Sequence, residues 1–427
     1  MKKVLFITYY WPPSGKASLH WPLKIIKNLP SFGWLPSVLT IDEDTFSQKD
    51  DTFLNEIPAD VKVFKAKSFE PFNIYKRITG RNKDEQLIAS ESISRNNKSL
   101  VHRLSIWIRM NIFIPDARVG WYFPAMKEGM KLLKTEKLDA IVSIGPPHTT
   151  HIVGKKLSSQ CNLPHIPVFI DPWVDISYYK NFRRSRITLS IDNHLEKSVL
   201  ENAAAIVFVT ETMKNDYIKK YPSIAEKSNV LYWGYSEEDF SFSPDLLSEK
   251  DSDEEIILHA GNIFDHQNPK HFWQTLKNEI DKGRKLKIVF IGTVSPEIRQ
   301  SIKNSGLDSY TEYKGFLPYQ EMLKEMLKSS YLLVCATEPR HVPGKLFEYL
   351  RTGKPIIAFG DGNEEVKKIL TEANAGMIFG YEDTGEEFFK SYSRLKTNEK
   401  FVKTFEREII IESLSILLTK INSIQLV

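Results

Sequence analysis

Short apolar runs alternate with helix-length stretches along almost the whole chain, and this alternation limits the fold more than any other feature. The runs form two series, the first beginning at Val4 and the second at Ile256. Such runs between helical stretches predict buried parallel strands that are connected by helices on both faces of a sheet. We therefore predict an α/β fold of two doubly wound, Rossmann-like parallel-sheet domains facing a central cleft. The predicted strands are Val4–Thr8, Pro36–Thr40, Val61–Phe64, Ala140–Ile144, Pro167–Ile170 and Ala205–Val209, then Ile256–Gly261, Leu286–Gly292, Tyr313–Phe316, Tyr331–Val334, Pro355–Ala358 and Gly376–Met377.

A change of composition after Asn229 marks the predicted boundary between the domains. The run from Trp233 to about Asp253 is acidic and rich in serine, which is typical of a connection. A chain of 427 residues is also too long for one typical domain. We predict a first domain at 1–235, a linker at 236–253, a second domain at 254–400 and a helix at 401–427 that packs back on the first domain.

A segment at about 69–118 interrupts the alternation of the first domain, and we predict that it is an insertion. Basic residues beside bulky apolar ones suit the surface of an anionic membrane. A solvated insertion that packs its aromatic side chains on the core explains the same pattern, and the sequence leaves both open. The basic residues are Lys76, Arg77, Arg81, Lys83, Arg103, Arg109 and Arg118, and the bulky ones are Trp107, Ile108, Ile112 and Phe113.

The composition excludes several classes of protein. A net charge of +4 is too small to argue for a nucleic-acid partner. The two cysteines, Cys161 and Cys335, have no metal-binding spacing and favour a reducing compartment. The apolar run after Met1-Lys2-Lys3 is too short for a signal peptide, and no run reaches the roughly 18 apolar residues of a membrane span. We expect a cytoplasmic protein, either free or attached to the inner face of the membrane.

The stretch from Glu338 to Phe359 is the strongest candidate for a binding site. It reads as the loop after a buried strand, followed by a helix that begins near Lys345 and ends at Gly353. The positive end of a helix dipole makes a lysine in the first turn unfavourable unless an anion binds there. Glu348 lies on the same helix face, so the pair suits the phosphates and the ribose of a nucleoside diphosphate. The alternative is an ordinary amphipathic helix with a solvated Lys345 and Glu348.

Three loops of the first domain also follow predicted strands. The loop Tyr9–Lys16 has a suitable length for phosphate, but Gly15 is its only glycine. His148 and Asp171 each stand directly after a strand, where a cleft-facing side chain often has a function. Capping or simple loop positions are the alternative for both. The sequence contains no nucleophile elbow, no His-x-x-x-His pair on a helix and no Gly-Lys-Ser/Thr phosphate loop.

Taken in order, these motifs resemble the retaining glycosyltransferase family 4, whose members have the two-Rossmann-domain GT-B fold. Within this family the chain resembles bacterial members that act in surface-polysaccharide synthesis. Each motif is weak alone, whereas their order along nearly the whole chain is fairly specific. The matching stretches are 9–15 (YYWPPSG), 32–36 (FGWLP), 114–118 (IPDAR), 145–148 (GPPH), 171–173 (DPW) and 343–349 (PGKLFEY).

The resemblance implies that the second domain binds a nucleotide-sugar donor and that the first domain binds the acceptor. In the second domain it implies that Gly344 and Lys345 contact the diphosphate and that Glu348 holds the ribose. It further implies that Phe316 and Leu317 bracket the base, and that the turn at Gly261 together with Lys270 lies at the diphosphate. In the first domain it implies donor-phosphate contacts for Gly15 and Lys16 and catalytic positions for His148 and Asp171. The resemblance implies no metal or other cofactor.

The chain departs from the family pattern at several cationic positions. Asn262 and Gln267 stand where an arginine is expected, which leaves Lys270 as the remaining cation after Gly261. Arg340 replaces the first glutamate of the family's pair, and Ile170 stands where close relatives carry arginine. Losing one contact to a developing charge costs about 2.7–4 kcal/mol of transition-state stabilisation.

Three functions are therefore compatible with the sequence. The first is glycosyl transfer from a nucleoside-diphosphate-sugar to a glycan or a lipid-linked acceptor, without a metal ion. The second is a degenerate scaffold or glycan-binding protein that has lost catalysis together with the missing cations. The third, epimerisation of a nucleotide sugar, ranks last because the carboxylates needed for proton abstraction are not evident. The sugar, the base, the acceptor and the linkage have no side-chain signature.

Overall fold

The structure is a computed structural model that describes residues 1–46, 49–68, 100–176, 179, 182–242, 253–336 and 338–424. The predicted cations Lys76, Arg77, Arg81 and Lys83, and most of the predicted linker, lie outside these residues. The chain forms two compact units. One comprises Met1–Leu231 with Ile411–Val427, and the other comprises Tyr232–Ile410. We call them the N-terminal and the C-terminal domain.

The N-terminal domain is built on a parallel sheet of seven strands in the order β3-β2-β1-β4-β5-β6-β7. Its last strand was not predicted from the sequence, because only one residue of Ser228–Val230 is apolar. The strands are β1 Lys2–Thr8, β2 Trp34–Ile41, β3 Lys62–Ala66, β4 Ala140–Gly145, β5 His165–Phe169, β6 Ile206–Phe208 and β7 Ser228–Val230. The helices are α1 His20–Asn28, α2 Leu100–Asn111, α3 Tyr122–Thr135, α4 Thr149–Cys161, α5 Arg186–Asn202 and α6 Glu211–Lys220.

The C-terminal domain is built on a parallel sheet of six strands in the order β10-β9-β8-β11-β12-β13. Its strands are β8 Glu255–Ala260, β9 Leu286–Ile291, β10 Thr311–Gly315, β11 Tyr331–Cys335, β12 Ile356–Phe359 and β13 Gly376–Phe379. Its helices are α7 Lys270–Asp281, α8 Pro296–Asn304, α9 Tyr319–Lys328, α10 Lys345–Thr352, α11 Glu364–Glu372, α12 Glu386–Ser391 and α13 Glu399–Lys403. The last helix, α14 Arg407–Ile424, begins in this domain and ends in the N-terminal one.

Alternate residues of the strands pack into cores on opposite faces of the sheet. In β9, Val289 and Ile291 belong to one apolar cluster, whereas Ile288 and Phe290 belong to another. Strands that are buried on both faces require helices on both faces, which is the doubly wound arrangement. The prediction of two doubly wound parallel-sheet domains is therefore confirmed.

The topology gives each sheet one position where a ligand is expected. The first strand of each domain lies inside its sheet, with β1 between β2 and β4 and β8 between β9 and β11. The chain winds away from the first strand in both directions, which leaves a crevice at the carboxyl ends of β1 and β4, and of β8 and β11. None of the described helices is both long and apolar enough to cross a bilayer.

Candidate functional site

Helix α10 begins at the crevice of the C-terminal domain. The loop after β11 leads to Gly344, which starts the helix without a side-chain cap. The side chain of Asn363 fixes this loop by donating hydrogen bonds to the carbonyls of Glu338 and His341, at 3.0 and 2.8 Å. An N-terminus without a cap leaves the positive end of the helix dipole available to an anion.

Tyr349 ties α10 to both strands of the crevice. Its hydroxyl accepts a hydrogen bond from the Ala260 N–H at 2.9 Å and donates one to the Leu333 carbonyl at 3.3 Å. Gln267 fixes the end of β11 in the same region, because its side-chain amide donates to the Cys335 carbonyl at 2.7 Å. The start of α10 is therefore anchored between β8 and β11.

Lys345 places a partly buried ammonium group at this position. Its Nζ donates to Nε2 of His259, a buried residue of β8, at 3.2 Å. Burial lowers the pKa of Lys345 from 10.5 to about 8. Burial and the nearby ammonium together hold the pKa of His259 well below its usual value, so this histidine is a neutral acceptor. A lysine whose charge is this poorly solvated gains stability when an anion binds beside it.

Two glycines leave space in front of the Lys345 ammonium. Gly261 follows β8 with φ +96°, and a Cβ there would lie 3.1 Å from Nζ of Lys345. Gly292 follows β9 with φ +100°, and a Cβ there would lie 2.7 Å from the carbonyl carbon of Gly261. L-residues with a side chain rarely adopt these backbone angles, and a side chain would fill the space. Backbone alone therefore forms this edge of the site, which suits close approach of a ligand.

Glu348 lies one turn after Lys345 on the same helix. Its side chain is buried, and Oε1 accepts a hydrogen bond from the Tyr319 hydroxyl at 2.7 Å. Burial raises the pKa of Glu348, while the Tyr319 hydrogen bond and the positive charge of Arg407 lower it. Arg407 is itself buried and donates to the Gly234 carbonyl at 3.0 Å. A buried carboxylate with a fixed orientation suits recognition of neighbouring hydroxyl groups.

The remaining predicted residues of this domain are more exposed. Phe316 follows β10 directly and is 85 % exposed, which is unusual for a phenylalanine, whereas Leu317 packs partly against the core. Lys270 is the first residue of α7. Its side chain is 63 % exposed, and its ammonium lies 3.7 Å from a carboxylate oxygen of Glu297.

In the N-terminal domain, Gly15 and Lys16 belong to the loop after β1. The preceding part of this loop is fixed, because Trp11 and Ser14 are buried and the Asp50 N–H donates to the Pro13 carbonyl at 2.7 Å. Gly15 is exposed beyond this fixed part. The loop therefore presents Gly15 at the carboxyl end of β1.

His148 stands immediately before α4, within an aromatic stack. Its ring lies parallel to that of Trp173, with 4.9 Å between the centroids, and it is hydrogen-bonded to the backbone of Pro172. Burial lowers the pKa of His148 to about 3, so the imidazole is neutral at physiological pH. The indole N–H of Trp173 donates to Asp192 at 2.7 Å. His148 is thus a rigidly held, uncharged group, and Asp171 lies in the loop that carries its stacking partner.

The helix after β4 has its N-terminus capped from inside the protein. Asp116 accepts hydrogen bonds from the Thr149 N–H at 2.9 Å, from the Thr149 hydroxyl at 3.0 Å and from the Arg118 N–H at 2.9 Å. This carboxylate occupies the end of α4 where an external anion would otherwise bind.

Most of the predicted residues fall into two groups, one in each domain. Gly261, Lys345 and Glu348 lie around the start of α10, whereas the other group occupies the ends of three neighbouring strands, β1, β4 and β5. That second group consists of Gly15, Lys16, His148 and Asp171. Among the described residues, no cluster of three or more His, Cys, Asp or Glu side chains has the arrangement of a metal site.

Sequence reasoning missed His259, Gly292 and Tyr319. His259 is a polar residue inside an apolar run that ends at Gly261, and Gly292 ends the next apolar run in the same way. That repeated pattern was a usable signal. The sequence contains no comparable signal for Tyr319, because its contact with Glu348 joins residues that are distant in the sequence.

Comparison with known proteins finds a family match in the domain that contains α10. Residues 254–398 match the family model described as "Glycosyl transferases group 1". No curated protein matches the chain in sequence.

Solved structures resemble the whole chain. Sucrose-phosphate synthase from Thermosynechococcus elongatus has a TM-score of 0.66 at 12 % identity, covering 99 % of this chain and 100 % of that one. HepE from Anabaena, in complex with UDP and glucose, has a TM-score of 0.64 at 13 % identity, covering 98 % and 100 %. A putative UDP-N-acetylglucosamine 2-epimerase from Listeria monocytogenes has a TM-score of 0.51 at 11 % identity, covering 95 % and 91 %. At these identities the likeness shows the fold, which is GT-B.

Proposed function

We propose that the protein is a retaining glycosyltransferase of family 4 that acts in bacterial surface-polysaccharide synthesis. In this proposal it transfers a sugar from a nucleoside-diphosphate-sugar to a glycan or a lipid-linked acceptor. The observation that carries the proposal is the uncapped start of α10, where Lys345 has a lowered pKa and Glu348 follows one turn later. The match of residues 254–398 to the group 1 glycosyltransferases supports it independently.

The donor is proposed to bind along α10. Lys345 and the amide of Gly344 contact the diphosphate, and the side-chain-free edge at Gly261 lets the phosphates approach the backbone. Glu348 accepts hydrogen bonds from the ribose hydroxyls, and the base lies against Phe316 and Leu317. The structure of HepE with UDP-glucose, which has the same fold, supports a nucleotide-sugar as the donor class.

The proposed reaction substitutes the nucleoside diphosphate at the anomeric carbon of the sugar. The bond from this carbon to the β-phosphate oxygen breaks, and the acceptor hydroxyl oxygen forms the new bond on the same face. The acceptor proton passes to the departing phosphate. Lys345 and the start of α10 stabilise the charge that develops on the leaving group, a role that a metal ion has in other enzymes. We accordingly propose a reaction without a metal ion or another cofactor.

His148 and Asp171 are proposed to position the sugar and the acceptor. Because the pKa of His148 is lowered to about 3, this residue acts as a neutral hydrogen-bonding group and not as a cation. Its stacking on Trp173 fixes the orientation of the ring. Gly15 and Lys16 are proposed to approach the donor phosphates from the loop after β1.

The first test is a thermal-shift panel with UDP, GDP, CDP, ADP and dTDP in a buffer that contains a chelator. A ligand at 100 times its dissociation constant raises the free energy of unfolding by about 2.7 kcal/mol. We expect one nucleotide to raise the melting temperature of the wild type and to have a much smaller effect on Lys345→Met. Absence of a shift with all five nucleotides, at saturating concentration and with the fold intact, would contradict the proposal.

A non-catalytic scaffold is the second candidate, and two contacts favour it. Gln267 stands where the family places a cation, and its side-chain amide donates a hydrogen bond to the Cys335 carbonyl. Lys270 forms an ion pair with Glu297. Slow hydrolysis of the nucleotide-sugar that binds best separates the two candidates, because a scaffold leaves the donor intact. A new nucleotide-sugar epimer in the same assay would instead indicate an epimerase.

A further inference from the structure

Five large apolar side chains are exposed on helices α2 and α5 and on the residue after α2. Soluble proteins expose single apolar side chains routinely, whereas a cluster of them marks an interaction surface. We call this cluster the α2–α5 patch. It consists of Leu104 (58 % exposed), Trp107 (49 %), Ile112 (59 %), Ile187 (74 %) and Ile191 (45 %).

Hydrogen bonds of Asn111 hold the two helices together at this patch. Its side chain donates to the Arg183 carbonyl at 3.1 Å and accepts from the Ser185 N–H at 2.6 Å and from the Thr188 hydroxyl at 3.1 Å. Ile112 and Ile187 are the chain neighbours of Asn111 and Thr188, so they lie on either side of this junction. Helical spacing places Leu104 and Trp107 on one face of α2, and Ile187 and Ile191 on one face of α5.

The two segments that carry the patch have charged residues of one sign. Residues 100–115 and 182–191 contain five arginines and no aspartate or glutamate. Arg183 and Arg186 are exposed beside Ile187. Arg184 forms an ion pair with Asp192, which is the nearest carboxylate in the sequence and is buried. An approaching anionic surface therefore meets exposed arginines and no exposed carboxylate of these two segments.

We propose that the α2–α5 patch attaches the protein to the surface of an anionic lipid bilayer. Isoleucine and leucine side chains would enter the boundary between headgroups and acyl chains, and Trp107 suits that boundary because its indole is amphipathic. The arginines would bind lipid phosphates. The inference rests on the patch alone and does not require the proposed function to be correct.

The test is co-sedimentation of the full chain with phosphatidylcholine vesicles that contain or lack phosphatidylglycerol. We expect binding to the anionic vesicles, and we expect salt to weaken it because salt screens exposed charges. Each arginine near such a surface contributes about fivefold to the binding constant, so Arg183→Gln with Arg186→Gln is expected to weaken binding about 30-fold. The matched control is Lys303→Gln with Lys400→Gln, which makes the same charge change at two exposed lysines of the C-terminal domain and is expected to bind like the wild type.

A second variant tests the apolar part of the patch. Ile187→Ser with Ile191→Ser is expected to weaken binding at least about tenfold, because exposed side chains then no longer enter the lipid. Equal binding to neutral and anionic vesicles would overturn the proposal, as would wild-type binding by both patch variants. Self-association of the wild type in sedimentation velocity that the isoleucine variant abolishes would also overturn it, because the patch would then contact a second copy of the chain.

Discussion

Helices α4 and α10 occupy equivalent positions in the two domains but have opposite charges at their N-termini. Helix α4 follows β4, which lies beside β1, and helix α10 follows β11, which lies beside β8. In the N-terminal domain, the carboxylate of Asp116 caps α4 through the N–H and the hydroxyl of Thr149. In the C-terminal domain, α10 begins without a side-chain cap, and its first residue is the cation Lys345.

This difference is the reason for our proposal about which domain binds the anionic part of a ligand. The dipole of α4 already has its negative partner within the protein, so an added anion there would meet a carboxylate. The dipole of α10 and the Lys345 ammonium add positive charge at one place, and burial makes that charge costly. A bound anion would compensate both, which is why we propose that the diphosphate binds to the C-terminal domain.

The largest expected effect comes from Lys345→Met, which removes the cation and keeps a long side chain. Transfer is expected to slow by about 10²–10³-fold, because one group that stabilises the leaving diphosphate is lost. The free energy of unfolding of this variant is not expected to be lower than that of the wild type. The lowered pKa of Lys345 means that the buried charge costs stability, at most about 3.4 kcal/mol for a shift from 10.5 to about 8.

Donor turnover by Lys345→Met checks the expected loss of rate, and urea denaturation of the same variant checks that its free energy of unfolding does not fall. The exposed Lys303 of α8 provides the control, and Lys303→Met is expected to behave like the wild type in both assays. A Lys345→Met protein that keeps wild-type turnover would remove the basis for assigning the diphosphate to α10.

Glu348→Gln tests whether the carboxylate of Glu348 recognises the ribose. The amide keeps an acceptor for the Tyr319 hydroxyl, but hydrogen bonds to a neutral group are about half as strong as those to a carboxylate. We expect the affinity for the preferred nucleoside diphosphate to fall about tenfold in calorimetry, with the affinity for inorganic pyrophosphate unchanged. Equal losses for both ligands would show that Glu348 acts on the phosphates or on the fold and not on the ribose.

The pH dependence of nucleotide binding follows from the pKa of Lys345, which is lowered from 10.5 in the unfolded chain to about 8 in the folded protein. Between these values the unfolded chain holds more protons, so this residue makes the protein more stable as the pH rises. Nucleotide binding changes in the opposite direction because it needs the charged ammonium. We expect the affinity to fall about tenfold from pH 7 to pH 9 in the wild type and to stay constant over this range in Lys345→Met.

The sequence was sufficient for the fold because buried parallel strands are continuous apolar runs. Ile256–Gly261 and Leu286–Gly292 show this most clearly, since the strands β8 and β9 end within one residue of the predicted limits. Ser228–Val230 was missed because an edge strand of three residues has no such run.

The candidate site was less accessible to sequence reasoning. Lys345 and Glu348 lie close together in the chain, so helical spacing was enough to pair them. The neutral partner His259 and the donor Tyr319 approach them only through the sheet and helix packing. The sequence also could not reveal that the side-chain amide of Gln267 donates a hydrogen bond to a backbone carbonyl. This contact matters because Gln267 stands where the family carries an arginine, and its amide is used within the protein.

Asp116 tests the comparison between α4 and α10 from the side of α4. Its substitution is expected to have the smallest effect on ligand binding. Asp116→Ala removes the cap of α4, and the free energy of unfolding is expected to fall by about 1–2 kcal/mol in urea denaturation. Asp116→Asn keeps an acceptor for Thr149 without the charge and is expected to lose less. Both variants are expected to bind the nucleoside diphosphate with wild-type affinity, because the N-terminus of α4 has its partner inside the protein. If Asp116→Ala weakened nucleotide binding as much as Lys345→Met does, the two helix ends would not have separate roles, and the anion could no longer be assigned to α10 alone.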